Sequence, residues 1–105
     1  MPSHLIEEAA SFLKNSSATP KEKLIIGGKM VWGATMVVNG WTPELLDRAR
    51  KACEFLFKHG TLESTVKKMD EKDASRCLAQ FTKDVMKLAT KSEQARSQQP
   101  RRRKS

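Results

Sequence analysis

The feature that most constrains this chain is the fifteen-residue run Leu24-Ile25-Ile26-Gly27-Gly28-Lys29-Met30-Val31-Trp32-Gly33-Ala34-Thr35-Met36-Val37-Val38, which carries a single charge, Lys29. The rest of the chain is polar enough to bring the mean hydropathy to −0.59. An apolar run in such a setting has to be covered by the segments around it. It is short of the roughly 20 apolar residues that cross a bilayer, and Lys29 lies inside it, so spanning is disfavoured. Two conformations fit the run. Its β-branched residues and the Gly27-Gly28 pair suit two short strands joined by a tight turn. The upstream segment Thr19-Pro20-Lys21-Glu22 suits a helix, with Thr19 as N-cap, proline in the first turn and Glu22 placed to complete a capping box. Small residues at Gly27, Gly28, Gly33 and Ala34 would let neighbouring helices approach closely. The helix is the favoured reading. Each interior glycine costs it roughly 1 kcal/mol relative to alanine, so packing on more than one side has to hold it.

The segments available to pack on it read as helices. Leu5, Ile6, Ala9, Phe12 and Leu13 recur at helical spacing and define a first helix ending near Asn15. Asn39-Gly40 is a stop. Thr42 and Pro43 open a third helix, with Trp41 placed to staple onto Leu46, and Gly60 closes it after His59. Its inward face is Leu45, Ala49, Ala52, Cys53 and Leu56, with Phe55 and Phe57 on the flanks. Its outward face, Asp47, Lys51, Glu54 and Lys58, pairs acid with base four residues on and neutralises itself. Arg48 and Arg50 lie at the margins, so this helix reads as a solvated element rather than a platform for a polyanion. Thr61 caps a short fourth helix through Met69, with Leu62, Val66 and Met69 inward and Lys67-Lys68 outward.

The last helix, Asp70 to Ala95, is the longest and the most clearly divided. At 100° per residue, Ala74, Cys77, Leu78, Phe81, Val85, Leu88 and Ala89 share one side. Lys72, Arg76, Gln80, Lys83, Lys87, Lys91 and Gln94 share the other. Asp73 and Asp84 fall at one edge of this basic face and its centre has no acid. From Lys72 to Lys91 the stripe covers about 28 Å at roughly 1.5 Å per residue. It continues into Arg96 and a proline-broken, apolar-free end, Arg101-Arg102-Arg103-Lys104-Ser105, whose composition is that of a disordered tail. The expected architecture is therefore all-α: one bundle of four to five helices over residues 1–95, with the second helix at its centre, and a basic tail over 96–105. A chain of 105 residues supports one such domain.

The formal charge of +8 is unevenly placed. Through Gly60 there are eight Lys and Arg against six acids, and from Thr61 onward twelve against six. This imbalance favours a polyanionic partner and says little about fold. Catalytic chemistry finds thin support in two histidines, His4 and His59, no tyrosine and no phosphate-binding glycine loop at recognised spacing. His59 suits the last turn of a helix, where the dipole favours positive charge. Cys53 and Cys77 have neither a second Cys nor a His at metal-ligand spacing and read as packed free thiols, which suits a reducing compartment. No cofactor, metal or enzymatic role is expected. The first residues lack the order of a secretion signal, with Glu7 and Glu8 where it would be apolar, so the expected compartment is cytosol or nucleus.

The leading expectation is a small nucleic-acid-binding protein, RNA ahead of DNA. Its contacts would be Lys72, Arg76, Lys83, Lys87, Lys91 and Arg96 on the helix and Arg101, Arg102, Arg103 and Lys104 in the tail. Lysines along a helix grip the phosphate backbone and read no base edges, so binding should be indifferent to sequence and steeply salt-dependent. Two other readings stand beside it. One is an accessory or adaptor protein whose apolar helices dock a partner, or a second copy of the chain, while the tail directs it to the nucleus. The other is a membrane-active protein acting through the Leu24–Val38 run, with Trp32 and Trp41 as interfacial anchors.

Overall fold

The computed structural model describes residues 2–37 and 40–97, with side chains described over 4–37 and 40–91. Five α-helices follow one another: α1 (Pro2–Asn15), α2 (Pro20–Thr35), α3 (Pro43–Glu54), α4 (Leu62–Lys67) and α5 (Glu71–Ser97), with a 3-10 turn at Phe55–Phe57 between α3 and α4. Among the described residues there is no strand. Of the basic tail expected over 96–105, Arg96 and Ser97 belong to the backbone of α5, and residues 98–105 lie outside the described residues, as do Val38 and Asn39.

The helix starts follow from their caps. Thr19 and Glu22 form the expected reciprocal pair, the Glu22 N–H donating to Thr19 Oγ1 at 3.2 Å and the Thr19 N–H to Glu22 Oε1 at 3.0 Å. Thr42 accepts from the Leu45 N–H at 3.1 Å and Thr61 from the Ser64 N–H at 3.0 Å. Asp70 opens α5, its Oδ1 accepting from the Asp73 N–H at 2.7 Å. At the far end of α1, the Lys23 ammonium reaches across from α2 to donate to the Leu13 carbonyl at 2.9 Å, satisfying one of the carbonyls a helix terminus leaves open.

The ambiguous run is helical from Leu24 to Thr35, and α2 packs against α1, α3, α4 and α5. The Gly27-Gly28 pair is the place where these elements converge. A Cβ on Gly27 would lie 2.7 Å from Leu13 Cδ2 and 3.5 Å from Phe81 Cε2, and one on Gly28 would lie 3.0 Å from Leu56 Cδ1 and 3.1 Å from Leu62 Cδ2. Two adjacent glycines thus admit α1 and α5 on one side and the 3-10 turn and α4 on the other. That close approach, rather than a hairpin turn, is what the pair serves. Around it lie the fully buried Ile6, Leu24, Val31, Leu56, Val66, Phe81 and Val85. Phe81 meets Phe55 edge-on with ring centroids 6.2 Å apart.

Boundaries differ from the sequence expectation at four places. The third helix stops at Glu54 and tightens into the 3-10 turn, which aims Leu56 at Gly28 and lays Phe57 against Trp32, ring centroids 5.1 Å apart. Gly60 then reverses the chain with φ +98°, a conformation that side chains with a Cβ resist. The fourth helix ends at Lys67, two residues before Met69, and the second ends at Thr35. The fifth runs to Ser97, past Ala95. The indole of Trp41 donates to the Ala34 carbonyl at 2.9 Å, a bond between α2 and the approach to α3 that spacing alone does not reveal.

Candidate functional site

Helix α5 lies with Ala74, Phe81, Val85 and Leu88 buried and Cys77, Leu78 and Ala89 half-buried, against α1, α2 and α3. The opposite face is open: Lys72, Arg76, Gln80, Lys83 and Lys87 are exposed and Lys91 is partly so. None of these cations has an ion-pair partner among the described residues. Arg96 falls within the backbone of α5, its side chain outside the described residues, and Arg101, Arg102, Arg103 and Lys104 lie wholly outside them.

The packing of α3 on α5 divides this stripe. Arg48, Lys51 and Ala52 from α3 face Asp84, Lys87, Leu88 and Lys91 from α5 across a cleft of about 290 Å³. An adjoining depression adds Lys83, Met86 and Thr90 and shares Arg48, Lys87 and Lys91 with the cleft. Five cations and one acid therefore line a continuous surface. The cleft's lining also includes the nearly buried Ala52 and Leu88, 7% and 2% exposed, which form an apolar base between the two charged walls.

The charges on the two walls differ in their local company. On α3, Arg48 pairs with Glu44 at 3.8 Å and Lys51 with Asp47 at 3.3 Å, both one turn back and largely exposed. Such pairs contribute little and exchange readily for another anion. On α5, Asp84 accepts from the Gln80 amide at 2.9 Å. Lys72 and Arg76 lie elsewhere, in the half of α5 that opens with Glu71 and Asp73. Arg76 lines a separate hollow with Lys58, His59, Lys68, Asp73 and Cys77.

Of the residues expected to form one stripe, the fold brings Lys83, Lys87 and Lys91 together and leaves Lys72 and Arg76 apart. It adds Lys51, from the self-neutralising face of the third helix, and Arg48, from the margin of that face. Their positions carried one usable signal. Both flank Ala52, the smallest side chain on the inward face together with Ala49, and a residue bordering a small inward position is placed beside whatever packs there. That the neighbour is the lysine face of α5 is decided by tertiary packing.

Among the described residues no group of three or more His, Cys, Asp or Glu side chains converges in a way that could hold a metal ion. Cys53 is fully buried on α3, and desolvation pushes its thiol up to about 12. Burial, then the neighbouring Asp73 charge, also raises Cys77, with Arg76 acting in the other direction. Neither thiol is thereby prepared as a nucleophile. Between α2 and α4 the Lys29–Glu63 ion pair closes to 2.6 Å, and the hydrogen bond from Lys29 holds the Glu63 carboxyl below its usual range. Among the described residues no helix is long and apolar enough to cross a membrane. No protein-family model, curated protein or solved structure matches this chain.

Proposed function

We propose that the protein binds nucleic acid through the lysine face of α5, without reading base sequence, and that RNA ranks ahead of DNA as its partner. The observation that carries this reading is the row Lys83, Lys87 and Lys91, set four residues apart and without ion-pair partners among the described residues, beside Arg48 and Lys51; Asp84 is the one acid in the lining, and Glu44 and Asp47 border it as the exposed partners of Arg48 and Lys51. Lysines spaced roughly 6 Å along a helix suit a regular array of phosphates. The preference for RNA rests on the way its duplexes are recognised, through shape, phosphates and 2′-hydroxyls more than through base edges. The tail, with Arg101, Arg102, Arg103 and Lys104, would add a second contact or direct the protein to the nucleus.

Charge reversal at Lys83 and Lys87 tests the reading. The double variant K83E/K87E should bind every RNA and DNA sequence more weakly by a common factor and show a flatter dependence on salt. Binding equal to the parent would overturn the assignment.

A second reading, a protein-interaction module, is favoured by a different observation. Ile26, Met36 and Val37 are 44%, 64% and 41% exposed on α2 and just beyond its end. A partner protein or a second copy of this chain would remove that apolar surface from water. Capture of a defined partner that survives nuclease and high salt would favour this reading, and loss of capture under nuclease would favour the first.

A further inference from the structure

Resting on the nucleic-acid reading, we propose that the contact follows the cleft between α3 and α5 rather than the axis of α5, with one strand's phosphodiester backbone seated between Arg48 and Lys51 on one wall and Lys87 and Lys91 on the other, and continuing into the adjoining depression at Lys83. Packed helices stand roughly 8–10 Å apart axis to axis, so the space between their exposed side chains admits a single ridge of phosphates and not a whole duplex. A duplex would therefore present one of its strands to the cleft. Lys83 to Lys91 covers about 12 Å along α5 at roughly 1.5 Å per residue, room for a few consecutive phosphates of one strand.

The two walls bring different chemistry to that ridge. The α5 lysines supply compact positive charges that tolerate small changes in register. The Arg48 guanidinium supplies a planar fork that can hold two oxygens of one phosphate. Its present partner, Glu44, is 3.8 Å away and largely exposed, so a phosphate can replace it at small cost. The apolar base of Ala52 and Leu88 offers no charge to compete for the ligand. Lys72 and Arg76 share the helical face of Lys83 and Lys87 but not the cleft, and so the placement assigns them no share in this contact.

Two double variants at exposed positions separate the cleft from the stripe: R48Q/K51Q on α3 and K72Q/R76Q on α5. Each is assayed against duplex RNA and single-stranded RNA across a salt series, with circular dichroism melts to establish that the fold is retained. R48Q/K51Q should lose roughly tenfold in affinity at moderate salt and reduce the slope of log K against log salt by about 2, while K72Q/R76Q keeps the parent's slope. Parental binding by R48Q/K51Q alongside weakened binding by K83E/K87E overturns the cleft and leaves the nucleic-acid reading standing. Equal losses in the two glutamine variants overturn the cleft in favour of a diffuse basic surface. Parental binding by all three variants overturns both.

Discussion

The indole Nε1 of Trp41 donates to the carbonyl oxygen of Ala34 at 2.9 Å, which fastens the approach to α3 onto the last turn of α2. Ala34 is buried, 1% exposed, and Trp41 is partly buried. Trp41→Phe keeps most of the ring packing and removes the donor. It should cost about 1 kcal/mol, and a melt by circular dichroism should read this as a drop of roughly 4–8 °C. An unchanged Tm would mean that the bond does not hold the connection.

The glycines of α2 should respond oppositely to alanine. No atom lies within 4 Å of the place a Cβ would take on Gly33, whereas Leu13 Cδ2 lies 2.7 Å from the equivalent place on Gly27. Gly33→Ala therefore gains helix propensity without a clash and should stabilise by about 1 kcal/mol. Gly27→Ala sets the same gain against overpacking of about 1–3 kcal/mol and should give a net loss of roughly 0–2 kcal/mol. Denaturant titration of both variants decides the matter, and equal stabilisation would show that α1 has room to move away.

The two thiols should differ in reactivity. Cys53 is fully buried with its thiol pushed up to about 12, and Cys77 is half-buried with a smaller environmental change. A maleimide at neutral pH should label Cys77 slowly in the native protein and Cys53 only after unfolding. The pH dependence has a definite sign. The unfolded Cys53 thiol ionises near its ordinary value of 9.0 while the folded one does not, so its contribution to stability is intact below pH 9 and declines as pH rises above it. Comparable labelling rates for the two cysteines in the native state would contradict the burial of Cys53.

Asp84 is the single acid lining the cleft and so should limit its affinity for phosphate. Asp84→Asn retains an oxygen that can accept from the Gln80 amide and removes only the charge. Nucleic-acid binding should tighten by roughly threefold at low salt, with the gain fading as salt screens it. Unchanged affinity at low salt would place the ligand away from the cleft.

The architecture was legible in the sequence because its punctuation is local. Thr19-Pro20, Thr42-Pro43 and Thr61 each satisfy N–H groups within three residues, so the whole signal lies inside one short stretch. The apolar face of α5 likewise follows from spacing along one helix, with Phe81 and Val85 at its buried centre. The end of α3 was not legible. Phe55, Leu56 and Phe57 continue a helical pattern, and what bends them into a 3-10 turn is the demand of Gly28 and Trp32 for partners far along the chain. The cleft was hidden for a related reason. In the sequence Lys51 is neutralised by Asp47 and Arg48 stands at the margin of that face, and only the docking of Ala52 beside Leu88 sets them opposite Lys87 and Lys91.

With Asp70 at its cap, the opening of α5 sums to −1, three acids (Asp70, Glu71, Asp73) against Lys72 and Arg76, whereas Lys83, Lys87 and Lys91 against Asp84 sum to +2, so net positive charge rises along one rod. The helix thereby carries a side-chain dipole opposed to that of its own backbone. In the field of a polyanion this dipole exerts a torque before contact is made, turning the later turns of α5 forward and the acidic opening away. On the proposed nucleic-acid reading, encounters from unproductive orientations would be corrected during diffusion, and the charge order along α5 would then bear on the rate of association as well as on affinity.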